Sequence, residues 1–158
     1  MALKEIAGRD IGIAVQRTVN STTSFVLVGC VTDSSLDVDT EADEATCTAS
    51  GNWKEFIGGQ SGFGISGTLN VRQATNDASG AGATDADTNV TAENLLDLQI
   101  AGTKVQVQYR IGSAAGSARY TGLGIITKSS FKGQQKGIAT YAITIQGSGP
   151  LAKSLATI

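Results

Sequence analysis

No histidine occurs anywhere in this chain, and only two cysteines, one proline and one tryptophan do. The missing imidazole removes the commonest general base at neutral pH, and with it every Ser/His or Cys/His nucleophile pair. Cys30 and Cys47 follow no metal-ligand spacing and read as reduced thiols, with Cys30 a small buried hydrophobe. Asp85-x-Asp87-x-Asn89 begins like a calcium loop, but Val90 stands where the turn glycine belongs and Leu96 where the bidentate glutamate belongs. No run approaches the roughly 20 apolar residues of a membrane-spanning helix, and Met1 to Ile6 contain no apolar signal core. Aromatics make up 5% of the chain and the net charge is −2, a poor basis for base stacking or phosphate binding. Gly80-x-Gly82 and Gly147-x-Gly149 lack the strand-to-helix context of a nucleotide loop, and no GxxxxGK[ST] occurs. The paired carboxylates between Asp33 and Glu44 sit in an exposed-looking stretch with no enclosing pocket. No enzyme activity, cofactor or metal is expected.

What is present is glycine, threonine, serine and β-branched residues. Twenty glycines against one proline, in 158 residues of which 41% are hydrophobic and 16% charged, describe one mainly β domain with tight turns. Asp10 to Gln16, Ser24 to Val31 and the alternating Asp33 to Asp39 read as strands, as does Gly62 to Val71, where Phe63, Ile65, Leu69 and Val71 share a face that Gly67 interrupts. Asp39 to Asn52 has no large apolar residue and reads as a loop. Gln73 to Asn89 reads as a mobile loop. Thr91 N-caps the single convincing helix, Ala92 to Ile100, with Leu95, Leu98 and Ile100 as its apolar stripe and Gly102 as its stop. Lys104 to Ile111 alternates strictly, and Arg119 to Ser129 and Ile138 to Gln146 form a hairpin across Lys132 to Gln135. Leu151 to Ile158 shows no sheet pattern and reads as an apolar tail in need of a docking place.

Charge is polarised along the chain. Twelve of the 14 acids lie between Asp33 and Asp97, opposed there only by Lys54 and Arg72, while seven bases and no acid follow Asp97. Complementary surfaces of this kind fix the register between copies of one chain. Lys128, Lys132 and Lys136 are the expected basic partners in such electrostatic assembly.

The order of features from Gly29-Cys30 through Ser34-Ser35-Leu36-Asp37-Val38-Asp39, the acidic stretch and Gly51-Asn52-Trp53-Lys54-Glu55-Phe56-Ile57-Gly58 to Val71 resembles the major tail protein, or tail tube protein, of long-tailed non-contractile bacteriophages. Gly8-Arg9-Asp10-Ile11, Glu93-Asn94-Leu95-Leu96, Tyr120-Thr121-Gly122 and Ala139 to Gly149 fall where that family has equivalents. The resemblance implies a β-sandwich or partial barrel with one flanking helix, contributing strands to a central β-barrel in a homohexameric ring. It implies stacked rings, a conduit for genome delivery, and tape-measure, tail terminator and tip proteins as partners, in a virion tail assembled in the host bacterial cytoplasm. DNA would transit without specific binding, and no membrane is involved. The inner tube of a contractile tail or injection machine is the nearest alternative, and a monomeric Ig-like or jelly-roll adhesion module a third.

On this reading residues 1–158 form one domain, with an N-terminal arm over 1–8, a stacking loop over about 39–52, a mobile loop over about 73–90 and a C-terminal arm over 150–158. Thr40, Glu41, Asp43, Glu44, Leu151, Leu155 and Ile158 are expected at the contact between rings. Asp33, Ser35, Asp37 and Asp39 are the first choice to line the lumen, since carboxylates gain water there and are costly in a dry interface. The small polar set Gly64, Ser66, Thr68 and Asn70 is the alternative lumen face.

Overall fold

In the computed structural model, residues 6–19, 21–29, 31–71 and 90–156 are described. Among the described residues eight strands follow one another: β1 (Ile11–Val19), β2 (Thr22–Leu27), β3 (Val31–Glu44), β4 (Phe56–Asn70), β5 (Val105–Ile111), β6 (Ala118–Lys132), β7 (Thr140–Gly147) and β8 (Ala152–Leu155). A helix, α1 (Ala92–Ala101), precedes β5. The strands form a single antiparallel sheet in the order β2-β1-β5-β6-β7-β4-β3, with β8 pairing β6 outside that path.

The sheet curls so that its two halves face each other and enclose the core, giving the sandwich-like partial barrel expected. Ile13 and Val15 of β1 and Val107 and Tyr109 of β5 meet Phe63, Ile65 and Leu69 of β4 and Tyr141, Ile143 and Ile145 of β7 in one apolar cluster. The closure is direct: the Tyr109 hydroxyl lies 3.3 Å from the Ser34 hydroxyl of β3 and donates to the Ser34 carbonyl. Gly67 leaves its gap in the β4 apolar row because Ile13 Cδ1 fills it, 3.0 Å from where a Cβ would stand. Gly122 and Gly147 do the same for Phe63, whose ring occupies the space their side chains would take.

The helix is built as its sequence directs. The Thr91 side chain accepts from the Asn94 amide while the Asn94 side chain accepts from the Thr91 amide, and Gly102 closes the other end at φ +63°. Leu95 is fully buried and Leu98 packs on the core. Ile100, expected in the same stripe, is instead exposed, because it lies on the helix side turned away from the sheet. Hydrogen bonds from Arg17 to Asn94 and from Ser129 to Gln99 tie α1 to β1 and β6.

Three further expectations are corrected. The strand read as Ser24 to Val31 is divided: β2 ends at Leu27, Val28 bridges to Val90, and β3 starts at Val31. Asp39 to Asn52 is not all loop, since β3 continues to Glu44 and pairs with a β4 that begins at Phe56 rather than Gly62. Alternation is absent there because neither face of the pair is buried; the backbone ladder, with the Thr40 and Ser61 hydroxyls bonded across it, holds it extended. The tail after Pro150 is not free of the sheet: Ala152 to Leu155 pair with Thr121 to Ala118, and Ala156 is buried. β7 reaches only as far as Gly124 on β6, which leaves backbone groups of Ala118 to Thr121 open on that side, and β8 fills the opening.

Candidate assembly surfaces

Past Val38 and Phe63 the β3–β4 pair leaves the body as an arm, and every residue from Asp39 to Gly62 except Ser50 is exposed. The ladder runs through Thr40 opposite Ser61, Ala42 opposite Gly58 and Glu44 opposite Phe56, with a bulge between Thr40 and Ala42. At the tip the Ala45 amide donates to the Glu55 carbonyl and the Glu55 amide to the Thr46 hydroxyl. Lys54 reaches Glu44 at 3.2 Å, with both side chains largely in water. A short 3-10 turn, Thr48–Ser50, is closed by the Cys47 amide donating to the Ser50 hydroxyl, and Gly51 follows at φ +66°. The Ser50 hydrogen bond, then the Ala49 backbone, lowers the pKa of the exposed Cys47 thiol. Cys30 lies outside the described residues.

Three large apolar side chains stand on this arm in water: Trp53 at 82% exposure, Phe56 at 58% and Ile57 at 60%. A two-stranded ribbon alone is marginally stable, so an arm that also displays such residues is shaped to be covered. Thr40, Glu41, Asp43 and Glu44, the expected contact residues between rings, all lie on its β3 side. Phe56 and Ile57 did not emerge as contact residues from the sequence, because the absence of alternation hid the strand that carries them, and Trp53 lies in the loop just before it.

The two sets of residues offered as alternative lumen faces are one face. Asp33 pairs with Thr68, Ser35 with Ser66 and Asp37 with Gly64, and directly opposite residues of an antiparallel pair point the same way. The Ser35 and Ser66 hydroxyls hydrogen-bond at 2.6 Å, and Ser35 donates to the Asp37 carboxylate at 3.3 Å. The face continues onto β7 and β6 through Thr144 opposite Ser66 and Lys128 opposite Thr144. Lys128 and Lys132 therefore share the sheet face of Asp33 and Asp37, while Lys136 sits in the exposed turn after β6.

Leu151 packs against the core, whereas Leu155 is exposed at the outer side of β8. Ile158, the 73–89 segment and Met1 to Glu5 lie outside the described residues. Among the described residues no helix is long and apolar enough to cross a membrane.

The model of the phage tail tube protein family matches residues 5–153. No curated protein matches the sequence. Among solved structures, the chain is similar to one described as the tail of an empty gene transfer agent particle with C6 symmetry, at 20% identity and TM-score 0.71, over 94% of this chain and 98% of the other. It is also similar to the SPP1 tail tube, at 14% identity and TM-score 0.68, over 98% of this chain and 81% of the other. A chain of the anti-feeding prophage baseplate shares the fold at 5% identity and TM-score 0.62, over 98% and 97%.

Proposed function

The chain belongs to the phage tail tube protein family, and from that premise we propose that it is the structural subunit of a tail tube, assembling as stacked homohexameric rings that form a conduit for genome delivery. The observation that carries the reading is the β3–β4 arm, a long ribbon with no body of its own chain beneath it and with Trp53, Phe56 and Ile57 in water. In the tube the arm contacts an adjacent ring, through Thr40, Glu41, Asp43 and Glu44 among others. The subunit's role is structural rather than catalytic.

Conduction asks only that the bore not hold DNA. Duplex DNA carries a phosphate charge about every 1.7 Å of its axis, so an acidic and hydroxyl-rich wall lets it pass. The β3–β4 face with Asp33, Ser35, Asp37, Asp39, Ser66 and Thr68 supplies such a wall and is proposed to line the lumen. Lys128, Lys132 and Lys136 are proposed to serve contacts between copies. Tape-measure, terminator and tip proteins are the proposed partners, and the host bacterial cytoplasm the place of assembly before incorporation in the virion tail.

The test is microscopy of the purified chain. Wild type is expected to give tubes or rings of constant width. Replacing Thr40 to Ser50 with a short Gly/Ser turn is expected to leave a folded subunit and abolish tubes. Discrete monomers from wild type at every concentration overturn the proposal, and long tubes from the shortened chain remove the arm from the contact.

A further inference from the structure

At one end of the sheet three arginines surround a groove. Arg9 precedes β1, Arg110 lies near the end of β5 and Arg119 near the start of β6, and all three line a cavity of about 430 Å³ that Asp10, Leu27 and Val31 also border. Arg110 and Arg119 are direct cross-strand partners, so two guanidiniums stand side by side on one sheet face. Like charges in that position repel and destabilise the pair. Among the described residues no carboxylate, Asp10 included, lies within ion-pair distance of any of the three.

Arg110 is fixed in place. Its Nε donates to the Gln108 side-chain oxygen at 2.8 Å and its Nη2 to the Phe25 carbonyl at 3.4 Å. Gln108 is itself buried and donates to the Thr121 hydroxyl at 3.2 Å. Burial first, and Arg119 second, push the Arg110 guanidinium below its usual pKa. Arg110 is thus a preorganised donor beside a second guanidinium, an arrangement that fits carboxylates.

The complementary groups are on the arm. A Cβ added at Gly59 would meet the Glu41 Cβ at 3.2 Å and an Asp43 carboxylate oxygen at 3.1 Å, so Glu41 and Asp43 occupy the same side of the ribbon. Glu44 is already engaged by Lys54; Glu41 and Asp43 have no cation among the described residues. They cannot reach the groove of their own chain. Val31 borders the groove and starts β3, and Glu41 and Asp43 follow it by ten and twelve residues of extended strand, roughly 30 to 40 Å at about 3.3 Å per residue.

We propose that the Arg9, Arg110 and Arg119 groove is the receptor for the arm of a second copy, whose Glu41 and Asp43 carboxylates dock on the paired guanidiniums. Donor and receptor lie at opposite ends of β3, so the contact is head-to-tail and propagates, as a stacked tube requires. The inference rests on the tube reading above and names the surface the arm meets.

The experiment uses charge reversal in the full chain, with tube length read by negative-stain microscopy and subunit folding by circular dichroism. Arg9→Glu with Arg119→Glu, and separately Glu41→Arg with Asp43→Arg, are each expected to shorten tubes roughly tenfold, and the four changes together, which set a net negative groove against a positive arm, to restore them to within about threefold of wild type. Wild-type tubes are also expected to shorten severalfold from about 0.05 to about 0.5 M salt, as the screening length falls, a readout that needs no variant to fold. Normal tubes from either reversed chain, no restoration in the combined chain, or salt-independent elongation of wild type overturns the receptor assignment and leaves the tube itself standing. Absence of tubes from wild type strikes the tube reading instead.

Discussion

Glycine at three core positions does the work of shape. Gly122 and Gly147 face the Phe63 ring, and Gly67 faces Ile13; each absent side chain is replaced by a large one, Ile13 from across the sandwich and Phe63 from strand β4 of the same sheet. Adding a methyl there overpacks a core already at full density, at a cost of about 1 to 3 kcal/mol. Gly147→Ala is expected to lower the melting temperature of the unassembled subunit, by about 2 to 4 °C per kcal/mol at this chain length. Gly58→Ala and Gly62→Ala, where a Cβ meets nothing within 4 Å, are expected to leave it unchanged. Phe63→Leu is expected to recover part of the loss in the Gly147→Ala background, which a purely conformational effect of the glycine would not allow. The Thr91 cap belongs to the same scale: Thr91→Ala removes the acceptor of the Asn94 amide and is expected to cost about 1 kcal/mol in the same melt.

At the scale of elements, the chain divides strands that are tied into the core from one ribbon that is not. β8 belongs with the first kind. Its ladder to β6 and the buried Ala156 predict that amides of Ala152 to Leu155 are protected from exchange in the unassembled subunit. The arm belongs with the second, and amides from Thr40 to Ser61 are predicted to exchange fast in the subunit and slowly in the tube. Exchange mass spectrometry of the two forms checks both expectations, and fast exchange of β8 in the subunit would return the tail to the role of an arm. The physical difference is burial: paired strands over a core open only with the whole fold, whereas an exposed ribbon opens locally.

At the scale of the molecule, charge is sorted by element. Acids gather on β3 and its arm, and bases on β5, β6 and the turn after it. Exposed pairs contribute about 0.2 to 1 kcal/mol each, so any one is weak, and repetition around a ring multiplies them. Changing Lys128, Lys132 and Lys136 together to Glu is expected to impair assembly more than changing them to Gln, measured by the yield of tubes at fixed protein concentration. Equal yields from the two triples would show that these lysines take no electrostatic part.

Sequence alone determined the β class, the helix with both its caps, and the strictly alternating strand β5, because each is written in local period and local hydrogen bonding. It also determined the polarity of charge and, through the order of features around Trp53, the family. It could not show that Asp33 and Ser66 share a face, since that depends on register between strands about 30 residues apart. Nor could it show that β3 runs on to Glu44, because a ribbon buried on neither side leaves no apolar rhythm to read. Only the tertiary structure decided that Ala152 to Leu155 are a strand, for the vacancy they fill exists only once β7 has stopped short on β6. The same holds for Arg110 and Arg119: nine residues apart, they become neighbours only when β5 and β6 pair.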